Sequence, residues 1–354
     1  MDAPFVPAVP DTPSPPGYRD RSTGLQVFGV IQLVMGALVL LGIPLILLGA
    51  IMSRRMTGAA MPLGTYFLGA MNYGVIAVIL ITLGIGSIRT RRWAWALTLV
   101  LSWIWLAGGI MGTILITAIL PSAFASGFRR AATLNPSAGE LHTGIVAAIL
   151  TFVIVLLAVF LVVLPLIFVL FYRRKDVEDT CKHRDPVERW TDRCPLPVLA
   201  ASLLFACGAA YYLLMSFTTP MVPFFGKYLT GIPGAIGCLT HGMIDAVLAI
   251  WFFRKRLLGW WIAIALLVLQ AISAAVTFSR GDLLQAYSRM GWKSAQLQAM
   301  SDNPMLRGHL MLWWSLLFIL LYIGYLVWVK RYLVAPPVHA NPLPVADSPH
   351  HELQ

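Results

Sequence analysis

Long apolar runs dominate the pattern of hydrophobic and polar positions along this chain. Eight of them lie at residues 27–52, 67–88, 93–120, 144–172, 196–217, 234–253, 257–278 and 309–329. A helix needs roughly 20 apolar residues to cross a hydrocarbon core of about 30 Å. Polar residues do not alternate with apolar ones inside the runs, as they would in the strands of a membrane barrel. The pattern therefore predicts an all-α, polytopic transmembrane helix bundle with about eight spans.

Composition and charge agree with a membrane protein and argue against nucleic-acid binding. Apolar residues make up 58% of the 354 residues and charged residues 12%, whereas soluble domains usually carry about 25% charged residues. The net charge is +11. The basic residues cluster at the ends of the apolar runs, where they set topology, and form no basic face with interleaved aromatic rings. We therefore expect the lipid bilayer as a partner and do not expect nucleic acid.

The runs divide the chain into two halves of four spans. Residues 23–172 hold the first four and residues 196–332 the second four, with a polar loop at 173–195 between them. The terminal segments, residues 1–22 and 333–354, are rich in proline and poor in large apolar side chains, so both are predicted to be disordered. The first run is about 26 residues long, which exceeds the apolar core of a signal peptide and predicts a retained span.

The distribution of lysine and arginine predicts the orientation. An even number of spans places both termini on one side of the membrane. Seventeen basic residues then lie on the side of the termini and nine on the other side. Because cytoplasmic loops carry the excess of basic residues, both termini and the loop 173–195 are predicted to be cytoplasmic.

Two matching stretches suggest that the second half is a copy of the first. The sequence RTRRWAW at 89–95 resembles RKRLLGW at 254–260, with a separation of 165 residues, and His142 and His309 are separated by 167. Four spans per unit give a parallel repeat, related by an axis along the membrane normal. The alternative is that basic residues followed by tryptophan occur at any cytoplasmic interface. We predict a parallel tandem repeat of a four-helix unit.

One pair of ionisable residues lies inside the apolar runs. Asp245 is near the middle of the sixth span, and His241 precedes it by one helical turn on the same face. A charge at bilayer depth costs several kcal/mol, roughly 3 or more, so this pair should be neutral, paired or in contact with water. Two interpretations remain open: a proton relay or coupling site, and a structural hydrogen bond in which His241 donates to Asp245. The pair is predicted to face the bundle interior.

The polar loop contains a weaker candidate for metal binding. Its sequence CKHRDPVERWTDRC (181–194) offers Cys181, His183 and Cys194 as three zinc ligands. The spacing matches no standard zinc knuckle, and a network of salt bridges among its alternating charges is the competing interpretation. Reduced cysteines are expected if the loop is cytoplasmic, and a disulfide would be favoured if the topology were inverted.

Two further patterns concern packing rather than chemistry. The segment 282–300 has apolar residues near helical spacing, which predicts a short amphipathic helix that either caps the bundle or gates a path between the halves. A shorter version is expected at 122–132. Gly108 and Gly112 form a GxxxG pattern in the third span, which predicts close packing against another helix.

Motifs that would indicate an enzyme are absent from the sequence. It contains no GxSxG, no HExxH and no Walker A loop. We therefore expect neither a catalytic site nor a cofactor.

The run RTRRWAWAL after a glycine-rich span, together with WTDRCPLPVLA at the start of the fifth, resembles uncharacterised bacterial multi-pass inner-membrane proteins. The resemblance implies a location in the bacterial inner membrane and no particular activity. The leading hypothesis is a non-enzymatic envelope scaffold or accessory protein, with other membrane proteins as partners. The alternative is a small-solute or proton-coupled transporter that uses His241 and Asp245. Intramembrane catalysis would need a second catalytic group near Asp245, and the sequence offers none.

Overall fold

The predicted bundle of membrane-spanning helices is confirmed. The computed structural model describes residues 19–57, 63–134, 143–292 and 308–334, with isolated positions at 294, 297 and 301. Eight helices in this part are long and apolar enough to span a membrane: Ser22–Gly49, Tyr66–Ile88, Arg92–Ala118, Ala148–Tyr172, Leu196–Thr218, Gly231–Phe253, Leu257–Arg280 and Leu310–Val334. Each coincides with one predicted run.

The first half contains spans one to four. Helix α1 covers Ser22–Thr57, α2 covers Leu63–Ile88 and α3 covers Arg92–Leu134. Span four consists of α4 (Thr143–Ala158), a π-helical turn (Val159–Val163) and α5 (Leu164–Tyr172). Pro165 lies in the first turn of α5 and has no N–H to donate to the carbonyl of Leu161, four residues earlier. This missing donor accounts for the irregular turn in the middle of span four.

The polar loop and the second half complete the chain. The loop forms α6 (Lys175–Arg184) and a 3-10 turn (Trp190–Arg193). Spans five to eight are α7 (Leu196–Thr218), α8 (Gly231–Phe253), α9 (Leu257–Arg280) and α11 (Gly308–Val334). Between spans seven and eight, α10 covers Leu283–Arg289. We call residues 173–195 the polar cap, and the membrane face on which they lie the cap side.

The turns that join spans two to three and spans six to seven have the same geometry. Thr90 and Lys255 both adopt positive φ, 49° and 54°, and they are separated by the predicted 165 residues. The Thr90 amide donates to the Ser87 carbonyl at 3.0 Å, and the Lys255 amide donates to the Phe252 carbonyl at 2.8 Å. A backbone strained in the same way at equivalent positions supports the predicted repeat.

The tryptophans that follow these turns also make equivalent hydrogen bonds. The Trp95 Nε1–H donates to the carbonyl of Tyr172 at the end of span four, at 2.9 Å. The Trp260 Nε1–H donates to the carbonyl of Leu326 near the end of span eight, at 2.7 Å. In each half, the third span is thus tied to the fourth by a buried indole. Common ancestry of the halves stays a prediction, which these two bonds support.

Each half packs around its own apolar cluster near the cap side. In the first half the cluster contains Leu25, Trp95, Ala96, Leu99, Phe168, Tyr172, Val177 and Cys181. In the second half it contains Cys194, Val198, Leu199, Ala201, Phe205, Leu248, Ala249, Phe252, Trp260, Ala263, Leu267, Leu326 and Val329. The halves meet where α7 packs against α2 and α3. Leu97 of α3 packs against the second cluster, and Leu196 contacts both, so this junction is apolar.

A β-hairpin between spans five and six was not predicted. Strands β1 (Met221–Phe224) and β2 (Lys227–Thr230) pair antiparallel through a two-residue turn, Phe225-Gly226. Both turn residues have positive φ, 40° and 94°, which two-residue hairpin loops favour. The Phe225 amide donates to Ser273 Oγ at 3.1 Å, and the Gly226 amide donates to Thr277 Oγ1 at 2.9 Å. Buried hydroxyls on α9 therefore hold the hairpin against the bundle.

The predicted close packing at Gly108 and Gly112 is wrong by one position. A Cβ atom added at either residue would have no atom within 4 Å outside its own helix. A Cβ at the neighbouring Gly109 would overlap the carbonyl of Leu161 in span four. The close approach therefore involves the glycine that the motif skips, because its partner is the irregular turn before Pro165.

Other predictions fall partly or wholly outside the described residues. The tails at 1–18 and 335–354, and His142, lie outside them, and the His309 side chain is not described. Helix α10 corresponds to the start of the amphipathic helix predicted at 282–300, and it buries Leu283 and Ala286. The segment 122–132 does not form a separate helix, because α3 continues through it to Leu134.

Candidate functional site

Asp245 lies at the contact between spans five and six. Its side chain is partly buried, and an added Cβ at Gly208 of α7 would lie 2.7 Å from Asp245 Oδ2. The absence of a side chain at Gly208 therefore makes room for the carboxyl group. Gly36, its counterpart in the first half, faces the Ile81 side chain instead. The two halves thus differ most clearly in polarity at this contact.

His241 does not donate to Asp245. Its Nδ1 atom lies 2.8 Å from the carbonyl oxygen of Gly237 on the same helix. A carbonyl can only accept, so Nδ1 carries the hydrogen, and Nε2 of the neutral ring keeps its lone pair. The imidazole packs against the ring of Tyr212 on α7, with 5.3 Å between ring centroids. The structural hydrogen bond proposed between His241 and Asp245 is therefore replaced by contacts of both residues with span five.

Two tyrosines complete this polar group. Tyr212 of α7 and Tyr322 of α11 both lie close enough to Asp245 to interact with its charge. The Tyr322 hydroxyl is buried and makes no hydrogen bond within the described part of the chain. A buried hydroxyl without a partner costs free energy, about 1–3 kcal/mol. We call Asp245, His241, Tyr212 and Tyr322 the intramembrane polar group.

Two clefts in the described structure do not reach this group. One has a volume of about 370 Å³ and lies near the side opposite the cap, where it is lined by Tyr228, Phe278, Arg280, Asp282, Leu283 and Met311, among others. The other has about 30 Å³, room for about one water molecule. It lies in the first half beside Gln32, whose buried Oε1 atom has no partner among the described residues.

The polar cap is organised by Asp185, which sequence reasoning did not single out. Its side chain is 2% exposed. The carboxylate accepts from Arg189 Nη2 at 3.2 Å, from Arg91 Nη1 at 3.5 Å and from the Arg92 amide at 3.4 Å. Burial would raise the pKa of Asp185, but these hydrogen bonds and the charges of Arg189 and Arg91 outweigh it and lower the pKa. Asp185 therefore fastens the cap to the turn between spans two and three.

Further ion pairs connect the cap with other elements. Arg92 Nε lies 3.4 Å from Asp192 Oδ2 in the 3-10 turn. Near the start of span one, the Arg21 amide donates to Thr180 Oγ1 at 3.1 Å, and the Arg21 guanidinium lies 3.5 Å from Asp176. The network of salt bridges expected in this loop is thus present. The alternation of Arg, Asp and Glu was the signal for it, but only the fold shows which acid is buried.

The cap also joins the two halves. Val177 and Cys181 of α6 belong to the apolar cluster of the first half. Cys194, at the other end of the cap, belongs to the cluster of the second half. Trp190 lies with its ring centroid 6.0 Å from that of Phe253 at the end of span six. One end of the folded cap is therefore buried in each half.

The structure does not assemble a metal site from Cys181, His183 and Cys194. The two cysteines are free thiols buried in separate clusters, and no group of three or more candidate ligands forms among the described residues. Burial, with the charges of Asp185 and Glu178, raises the pKa of Cys181 to about 12. Burial raises the pKa of Cys194 to about 11, although the Lys255 charge opposes the change. Both thiols are protonated at neutral pH and are weak nucleophiles and metal ligands.

Comparison with protein-family models, with curated proteins and with solved structures gave no match for this chain.

Proposed function

We propose that this protein is a non-enzymatic scaffold or accessory protein of the bacterial inner membrane. The observation that carries the proposal is the folded cap, which is buried at one end in each half. Transporters built from two repeats move one repeat against the other around a central site. A connecting loop held by Asp185 and packed into both halves opposes such movement on the cap side. A fixed arrangement of spans suits a protein that holds partners in place.

The junction between the halves gives independent support. A transport path would need a wet, polar junction, whereas Leu97 and Leu196 make the described junction apolar. The absence of catalytic activity is also part of the proposal. The cap cysteines are buried and protonated, so they are poor nucleophiles. The partners would be other membrane proteins together with the bilayer.

A distance measurement between the halves tests the proposal. Spin labels at Arg89→Cys and Leu258→Cys, both exposed on the cap side, would report the separation of the halves. Cys207 is the exposed native thiol and would be replaced by alanine. We expect one narrow distance distribution in proteoliposomes, unchanged between about pH 5 and pH 8, the range in which histidine titrates.

The second candidate function, a proton-coupled transporter, rests on the intramembrane polar group. Asp245 has no hydrogen bond and the Tyr322 hydroxyl has no partner within the described residues, and such groups in a span are often functional. The same labels distinguish the two functions. A second distance population that grows with pH change and disappears in Asp245→Asn would favour transport and overturn the scaffold proposal. Identical distributions in the wild type and in Asp245→Asn would support the scaffold.

We further propose that the termini and the cap are cytoplasmic, and labelling of the cap tests this orientation. Lys182 is exposed on α6 and its neighbour Cys181 is buried. We expect a membrane-impermeant maleimide to miss Lys182→Cys in intact cells and to label it rapidly once the membrane is opened. Cys181 itself should stay unlabelled in both cases, because it is buried and its pKa is raised to about 12. Rapid labelling of Lys182→Cys in intact cells would show that the orientation is inverted.

A further inference from the structure

Five basic residues form a patch on the cap side of the second half. Arg254, Lys255 and Arg256 are exposed in the turn between α8 and α9, and Lys330 and Arg331 lie near the end of α11. Within the described residues, none of the five forms a salt bridge with an acidic side chain. We call these five residues the basic edge.

Aromatic rings position two of these cations. Lys330 Nζ lies 4.4 Å from the ring centroid of Trp260 and 4.8 Å from that of Trp261. The hydrogen bond from Trp260 to the Leu326 carbonyl ties α9 to α11 at this level. Arg256 precedes Trp260 by one helical turn, so the turn and the end of span eight contribute cations to the same region. The rings hold the ammonium group without neutralising it.

The corresponding turn of the first half is neutralised by the protein itself. There, Arg91 pairs with Asp185 and Arg92 with Asp192. Arg256 occupies the position equivalent to Arg91 by the separation of 165 residues, but no cap acid reaches it. The basic edge therefore carries a charge requirement that the first half meets internally.

We propose that the basic edge binds the phosphate of an anionic phospholipid headgroup. Lysine and arginine donate charge-assisted hydrogen bonds to phosphate oxygens, and basic residues at span ends attract anionic lipids. Trp261 and Trp328 flank the cations and are 56% and 42% exposed, and such rings prefer the membrane interface. They would contact the glycerol and upper acyl region of the same lipid, which favours a lipid over a soluble phosphate.

Lipid titration by native mass spectrometry tests this site. The full-length protein, in neutral detergent, would be titrated with phosphatidylglycerol and with phosphatidylcholine of the same chain length. We expect phosphatidylglycerol to bind more tightly, and Arg256→Gln/Lys330→Gln to weaken that binding roughly tenfold or more. Binding of phosphatidylcholine should change little. Glycerol phosphate at millimolar concentration should not displace the lipid, and displacement would assign the site to a soluble phosphate instead.

Arg173→Gln/Arg174→Gln is the matched control. It removes two exposed charges from the same side of the membrane, at a place where the acidic residues of α6 follow directly. We expect it to change binding less than about twofold, because no aromatic-flanked cation is lost. Equal weakening by both double variants would indicate diffuse attraction and overturn the site, as would equal binding of the two lipids. Should Arg256→Gln/Lys330→Gln fail to fold, Lys330→Gln alone should still weaken phosphatidylglycerol binding severalfold, and an unchanged affinity would refute the proposal.

Discussion

Replacing Gly109 by alanine is expected to destabilise the bundle by about 3 kcal/mol, the upper end of the cost of overpacking. An added Cβ would overlap the Leu161 carbonyl of span four. Backbone atoms cannot rotate away as a side chain can, so α3 and span four would have to separate. Pro165 makes this worse, because it fixes the irregular turn to which Leu161 belongs. Thermal unfolding of the purified protein in detergent would show a lower midpoint.

Gly108→Ala provides the matched control for this prediction. It makes the same chemical change one position earlier, where an added Cβ has no atom within 4 Å. Since alanine favours helix over glycine by up to about 1 kcal/mol, this variant should be neutral or slightly more stable. Equal stability of the Gly108 and Gly109 variants would contradict the packing of α3 on span four.

Replacing Asp185 by asparagine is expected to cost about 2 kcal/mol, the scale of hydrogen bonds made by a charged group. The carboxylate is buried and receives bonds from Arg91, Arg189 and the Arg92 amide. An amide of the same shape loses the charge and replaces one acceptor by a donor that would face these arginines. The cap should then unfold at a lower temperature than the spans, which protease digestion of residues 173–195 would detect.

Glu188→Gln is the control for the charge change, because Glu188 is an exposed acid in the same cap. It should leave stability within about 0.5 kcal/mol of the wild type. The pH dependence gives a second check. Because the pKa of Asp185 is lowered in the folded state, its stabilisation is complete above the unfolded pKa of about 3.9 and is lost as pH falls through the folded pKa. The stability difference between wild type and Asp185→Asn should therefore be full at pH 6–7 and shrink below about pH 4. A difference that stays constant into acid would contradict the charged role of Asp185.

Predictions from the sequence succeeded where a single helix decides the outcome. Apolar length alone locates all eight spans, because the hydrocarbon core leaves a backbone no partner except its own helix. Trp95 and Trp260 were placed at membrane interfaces by the same reasoning. The salt-bridge network of the cap followed from its alternating charges. None of these inferences needs to know which helix packs against which.

Predictions failed where the outcome depends on a second element. The GxxxG pattern pointed to Gly108 and Gly112, but helix rotation and the Pro165 turn decide that Gly109 is the contact. The hairpin 221–230 lacks the asparagine- or aspartate-glycine signal of such turns. Its turn amides are satisfied by Ser273 and Thr277, about 50 residues later in the chain. His241 and Asp245 are one turn apart, yet each is oriented by span five.

The sequence by itself determined that this chain is a bundle of eight membrane helices, because the cost of burying polar groups in lipid acts on each segment separately. Only the tertiary structure decided which charges are neutralised. It buries Asp185 among arginines of a distant turn, leaves the basic edge without an acidic partner in the described residues, and places Asp245 against Gly208. Electrostatic interactions depend on distance and burial, and both arise only when segments far apart in the chain pack together.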